Sequence, residues 1–331
     1  MIKLSVCISV HNTGKLLPRC LDSVLSQTYK NIEIILINNG STDNSIYVMN
    51  QYADANDNIY IYEQEDRGLA QGRQSGVDKA TGDYITFLDA DDYIYPNMYE
   101  KMIDAIIQTG ADIVECETKR DETILSSPYN GLYDTTQILK DYFDGKPILS
   151  MLWIRLYNKK LFNKPVFPQI YMNNEDIFAF PCLLNNASTI YFLKECLHIY
   201  STDNENAEMK KIVENRYDDN KVWEIKIKAL HAIDFIKEYI GESVIEEKYS
   251  NEFEHFKSRN ITYFCVVEYK KMSALNIIKQ LCEYFDMSEK QLNKFYKNNV
   301  SVPVFFDRIA RIIGLRWSIR VYRFLKKVTR H

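Results

Sequence analysis

Residues 4–43, LSVCISVHNTGKLLPRCLDSVLSQTYKNIEIILINNGSTD, decide the architecture. Leu4, Val6, Ile8 and Val10 alternate with smaller or polar residues and then meet Asn12-Thr13-Gly14, the pattern of a short strand ending in a loop. Leu17, Leu21, Val24 and Thr28 recur at helical spacing, and Pro18 falls in the first turn, where it is tolerated. Ile32 to Ile37 is a nearly continuous apolar run, as a parallel strand buried on both faces requires, and it stops at the polar run from Asn38 to Asp43. Strand, helix and buried strand in succession predict an α/β sheet.

Outward from this unit the alternation continues. Ile59–Tyr62 predicts a strand, 72–80 a helix, and Tyr84–Leu88 a strand ending in Asp89-Ala90-Asp91-Asp92. A helix from about Pro96 to Thr109 and a strand over 112–116 follow. Polar clusters after strand ends, at 11–14, 38–43 and 89–92, should converge on one crevice, because ligands of open α/β sheets bind at the carboxyl ends of the strands. From about residue 209 the period becomes 3.6, with Trp223, Ile227, Leu230, Ile233 and Ile236 on one face. The expected organisation is an α/β unit over 1–208 and an all-helical region over 209–331.

Composition excludes several classes. A chain of 331 residues with 46% apolar and 26% charged residues has a core to bury and is not disordered. A net charge of -4 gives no nucleic-acid footprint. The seven cysteines are widely spaced without a CxxC pair, so neither a disulfide framework nor a zinc site is signalled. No secretory signal and no apolar run of membrane-spanning length is seen, which implies a cytoplasmic protein. The final segment, 308–331, carries eight Arg or Lys, no acid and interleaved apolar residues. It reads as a basic amphipathic helix suited to the inner face of an anionic membrane, or as a helix packed on its own core.

Asp89 and Asp91, two residues apart at a strand end, can share one divalent cation and a diphosphate bound to it; hard oxygen ligands suit Mg2+ or Mn2+. Acids in such a turn also serve as caps. With SVCISVHNTGKLLPRCLDSVLSQTYKNIEIILINNGSTDNS and DRGLAQGRQSGVDKATGDYITFLDADD in this order, the chain resembles the family 2 inverting glycosyltransferases of the GT-A fold, a Rossmann-like, mixed and mostly parallel sheet flanked by helices. The resemblance runs from about residue 3 to residue 205. It implies transfer of a sugar from a nucleotide-diphosphate donor, UDP first, to a cell-surface glycan, lipid-linked or protein-linked acceptor.

By that resemblance Ser9, Val10, His11 and Asn12 hold the base, joined by Asn39 where the family commonly has Asp, and Arg73 reaches the diphosphate or ribose. Asp89, Ala90 and Asp91 lie at the ribose and metal, with Asp91 as direct ligand and Asp203 as a third oxygen in place of the family's His. Trp153, Arg155 and Asp92 fall on the acceptor side, where an indole can stack on a pyranose or belong to the core. Asp176 is the implied general base, with Glu175 orienting it or the acceptor; alternatively both acids cap the helix near Ile177. Retention of Asp89, Asp91 and Asp176 together disfavours the alternative function, a non-catalytic sugar-nucleotide or glycan-binding module. The helical region is free to brace the catalytic unit, dock acceptor or mediate homo-oligomerisation.

Overall fold

The computed structural model describes residues 1–168, 175–205, 207, 233–262 and 290. Its centre is one ten-stranded sheet ordered β3-β2-β1-β4-β9-β6-β10-β5, with β7 paired to β6 and β8 to β10. The strands are β1 (Leu4–Val10), β2 (Ile32–Asn39), β3 (Ile59–Gln64), β4 (Tyr84–Phe87), β5 (Tyr93–Ile94), β6 (Ile113–Arg120), β7 (Thr123–Leu125), β8 (Gly131–Asp134), β9 (Arg155–Asn158) and β10 (Thr189–Tyr200). β1, β2, β3 and β4 run parallel. β9 then enters antiparallel to both β4 and β6. β1 has β2 on one side and β4 on the other, so the strand order turns there at a topological switch point.

Both faces of the sheet are covered, which is why β2 reads as a continuous apolar run. Ile35 and Ile37 enter the core on one face and Ile34 and Leu36 the core on the other. Within that run Glu33 is tolerated because Ser5, Thr81 and Lys3 all bond its carboxylate. Burial alone would raise its pKa; these bonds outweigh it and bring it down to about 2.

The helices α1 (Leu17–Leu25), α2 (Ser45–Ala55), α3 (Leu69–Lys79), α4 (Met98–Thr109), α5 (Thr135–Asp144) and α6 (Asp176–Asn186) flank the sheet. α3 starts three residues earlier than its periodicity suggests, after Gly68 at φ +82°. Beyond the sheet, 233–240 is helical, followed by α7 (Glu242–Lys248) and α8 (Ser250–Thr262). α8 lies on α5. Ile233, Ile236, Tyr249, Phe253 and Phe256 join the core that contains Phe143 and Phe178. The described part of the helical region therefore spends its apolar residues on the chain's own core. Trp223, Ile227, Leu230 and the basic stretch 308–331 lie outside the described residues. Among the described residues no helix is long and apolar enough to cross a membrane.

Candidate active site

Arg73 is the keystone of the site. It is 3% exposed, and its guanidinium donates to Asp89 at 2.7 Å and to Glu175. Two glycines of α3 put it there. A Cβ on Gly72 would lie 2.2 Å from Ser9 Oγ, and one on Gly76 would lie 2.9 Å from the Cys7 Cβ. Only with both positions bare can α3 press against β1 and turn Arg73 toward the end of β4.

The Asp89–Asp92 turn divides its acids. Asp89 keeps partial exposure while paired to Arg73. Asp91 accepts from the Asn204 amide at 2.7 Å, and burial and then the Asp89 charge raise its pKa. Ala90 is 4% exposed and its methyl belongs to the core. Asp92, expected on the acceptor side, is instead 1% exposed: it accepts from the Ser201 N–H at 2.8 Å and sits 3.5 Å from His198 Nε2. Burial, then the neighbouring Asp89 and Asp91 charges, push it well above the usual Asp value, while burial takes His198 down to about 3. The Ser201 N–H bond to Asp92 thus ties the end of β10 to the turn.

Asp203, the expected third oxygen, pairs with Arg19 of α1 at 2.8 Å. Arg19 also donates to the Asp91 carbonyl at 2.9 Å and to Ser201 Oγ at 2.8 Å, so this arginine fastens the segment after β10 to the acidic turn. The side chain that reaches Asp91 is Asn204. Sequence reading missed both Arg19 and Asn204; they are 185 positions apart and no local pattern joins them. Among the described residues no group of three or more His, Cys, Asp or Glu is gathered to hold a metal, because each acid has a different protein partner. The chemistry of the pair Asp89 and Asp91 nevertheless fits a cation whose other ligands are phosphate oxygens: two hard carboxylates stand close enough for one to raise the other's pKa, and a positive ion relieves that repulsion.

The loops after β1 and β2 form one rim. Asn12, at φ +52°, accepts from Thr42 N–H at 2.7 Å and Asp43 N–H at 3.2 Å. His11 Nδ1 lies 2.8 Å from the Asn39 carbonyl, and Ser41 donates to the Val10 carbonyl. Asn39 itself is 2% exposed, and its amide is spent on Gln64, Asp66 and Gly68. Its side chain is therefore engaged inside the rim rather than turned outward for a base; the exposed carboxylate beside it is Asp66.

A cleft of about 350 Å³ is lined by Arg120, Ser150, Met151, Trp153, Asp176 and Tyr200 among others. Asp176 is half-buried at its wall and accepts from Ser150 Oγ at 2.9 Å. Glu175 makes no capping bond at α6 and goes to Arg73 instead, which sets aside the reading in which it caps the helix. Burial raises both carboxyls, Glu175 to about 7; Arg73 opposes this, while the Asp176 charge adds to it for Glu175 and the Asp89 charge for Asp176. Trp153 stacks on Tyr200 with ring centres 6.1 Å apart, and Arg73 lies over the indole at 5.5 Å, so the ring serves protein contacts. Its Nε1–H is buried without a hydrogen-bond partner among the described residues. Arg155 does not face an acceptor. It is fully buried, pairs with Glu115, lies 3.8 Å over Phe180 and donates to the carbonyls of Leu149 and Met151, holding the cleft's loop in shape.

Known proteins resemble this chain in sequence and in fold. The glycosyltransferase GlyA of Streptococcus pneumoniae is 31% identical over 211 residues, 60% of this chain and 30% of GlyA. The uncharacterized glycosyltransferase YibD of Escherichia coli is 29% identical over 61% of this chain and 62% of its own length. The chain thus spans less than two thirds of either relative. Among solved structures, residues 1–349 of S. aureus TarS in complex with UDP-GlcNAc superpose with a TM-score of 0.61 at 18% identity, over 97% of this chain and 92% of that one, a likeness of fold. Residues 5–161, which contain nearly all of β1, together with β2 to β4, Arg73 and the acidic turn, match the family described as Glycosyl transferase family 2, and this part of the chain is similar to that family.

Proposed function

We propose that the chain is a metal-dependent glycosyltransferase that moves one sugar, with inversion, from a UDP-sugar to a glycan, lipid-linked or protein-linked acceptor at the bacterial surface. The observation that carries this reading is the Arg73 bridge, which joins the acidic turn to Glu175, the neighbour of a half-buried carboxylate that lines a cleft. Asp176 takes the proton of an acceptor hydroxyl as that oxygen bonds to the anomeric carbon on the face opposite the diphosphate; the bond to the diphosphate breaks and the configuration inverts. A Mn2+ or Mg2+ ion held by Asp89 and Asp91 would offset the charge developing on the leaving diphosphate. The rim of Ser9, Val10, His11 and Asn12 takes the base, with the Asp66 carboxylate in place of the Asn39 amide. Ser150 and Arg73 orient the acids; the helices over 233–262 brace the unit comprising residues 1–208.

Nucleoside diphosphate release from UDP-, GDP-, CDP- and dTDP-sugars, with Mn2+, Mg2+ or EDTA, tests this directly. One UDP-sugar should turn over with metal and fall to background with EDTA. No turnover of any donor, together with no donor binding by calorimetry, would instead make the chain a non-catalytic module.

The acceptor reading extends to residues 308–331, whose eight basic residues would each add about 1 kcal/mol near an anionic surface. Deleting them should abolish cosedimentation with vesicles rich in anionic lipid and leave neutral vesicles unbound as before. Undiminished sedimentation of the truncated chain would remove the membrane from the proposal.

A further inference from the structure

The cleft that holds Asp176 is also lined by a cation, Arg120, that has no carboxylate partner among the described residues. Arg120 is exposed at the end of β6 and lines the cleft. Its guanidinium sits 5.2 Å over the Tyr200 ring. Tyr200 stacks on Trp153, and Trp153 lies under Arg73, so one aromatic pair links the keystone arginine to Arg120.

Every carboxylate next to Arg120 in sequence is committed elsewhere. Glu117 pairs with Lys194 at 3.3 Å, Glu122 with Lys119 at 3.2 Å, and Asp121 accepts from Thr202 Oγ1 at 2.9 Å. Among the described residues Arg120 makes no ion pair. The wall between Arg120 and Asp176 is apolar and aromatic apart from Ser150, whose hydroxyl is already given to Asp176. Within that wall the Trp153 Nε1–H is a buried donor without an acceptor among the described residues. A cleft with an unspent guanidinium, an unspent indole N–H and a carboxylate fits a ligand that brings acceptor oxygens to the guanidinium and a hydroxyl to the base.

We propose that Arg120 is an anion receptor for the acceptor substrate: the acceptor carries a carboxylate or phosphate that the guanidinium binds through paired N–H donors, and this contact presents a nearby sugar hydroxyl to Asp176. Guanidinium is suited to the task because its fork matches both anions and because an arginine stacked on a ring is already ordered. Tyr200 holds it in place, so less side-chain freedom is lost on binding. This inference rests on the reading of the cleft as the acceptor side and adds the chemical class of the acceptor to it.

Three methyl glycosides of one sugar skeleton separate the cases: methyl β-glucoside, methyl β-glucuronide, and methyl β-glucoside 6-phosphate, titrated by saturation-transfer NMR against the full chain and against Arg120→Gln. The wild-type chain should bind one or both charged glycosides about tenfold more tightly than the neutral one, and Arg120→Gln should remove that preference. Which charged compound binds distinguishes carboxylate from phosphate. A thermal melt of the variant matching that of the wild type shows that the loss is not unfolding, and Arg120→Lys should keep part of the preference through charge alone. Equal or undetectable binding of charged and neutral glycosides by the wild type overturns the inference, as does a preference that survives Arg120→Gln. Donor turnover by the wild type is read separately, so failure of the transferase reading and failure of the anion receptor give different results.

Discussion

Asp176→Asn should lower kcat for sugar transfer by about 10³-fold, within the usual range for removing a general base, while the KM for the donor changes little. The two side chains are nearly isosteric, and the Ser150 hydroxyl that donates to Asp176 can donate to the Asn carbonyl oxygen just as well. What is lost is the capacity to take a proton. The wild-type pH profile should carry the same signature. Because burial raises the Asp176 carboxyl, it stays protonated, and inactive as a base, to a higher pH than a solvated Asp would. The rate should therefore rise with pH through an acid limb above the ordinary carboxylate range. Glu175, pushed up to about 7, titrates with it, so the limb belongs to the pair. A variant within tenfold of the wild-type kcat, or a profile flat down to the ordinary Asp range, would take the base assignment away from Asp176.

Arg73→Met should destabilise the fold by about 3–5 kcal/mol near pH 7.5 and abolish turnover, since it strands Glu175 and Asp89 without their counter-charge. The volume is nearly kept, so a cavity does not explain the loss. Urea unfolding at two pH values separates charge from packing. Near pH 5 Glu175 is mostly protonated, because the fold holds it above its unfolded value, and the gap between variant and wild type should narrow. The double variant Arg73→Met, Glu175→Gln should recover part of the stability but none of the activity. Arg73→Lys should also be poor, as one ammonium cannot fork to two carboxylates. A loss below about 1 kcal/mol, or an undiminished gap at pH 5, would reduce Arg73 to a packing residue.

Those elements whose cause is local were legible in the sequence. The alternation of β1 and the apolar run of β2 follow from sheet burial, and the acidic turn announces itself after β4. Arg73 was placed at a donor site by resemblance, but its partnership with Glu175 spans 102 positions and leaves no periodic trace. The same holds for Arg19 with Ser201 and Asp203. Arg155 and Asn39 misled in a common way: both are polar residues beside a motif, and only tertiary packing reveals that one is fully buried and the other spent on its own neighbours. Trp153 was left between stacking and core, and the fold gives it to Tyr200 and Arg73.

The short strand β5 has its pairing partner in β10, with Ile94 opposite His198 and Tyr93 opposite Ile199, and Asp92 bonded to Ser201. On the ribosome this means that the acidic turn is made early and anchored late. More than a hundred further residues must be synthesised before the strand that fixes it emerges. Until then the turn after β4 carries three carboxylates without the strand that fixes it, and their mutual repulsion also discourages premature pairing of β5 with another nascent chain.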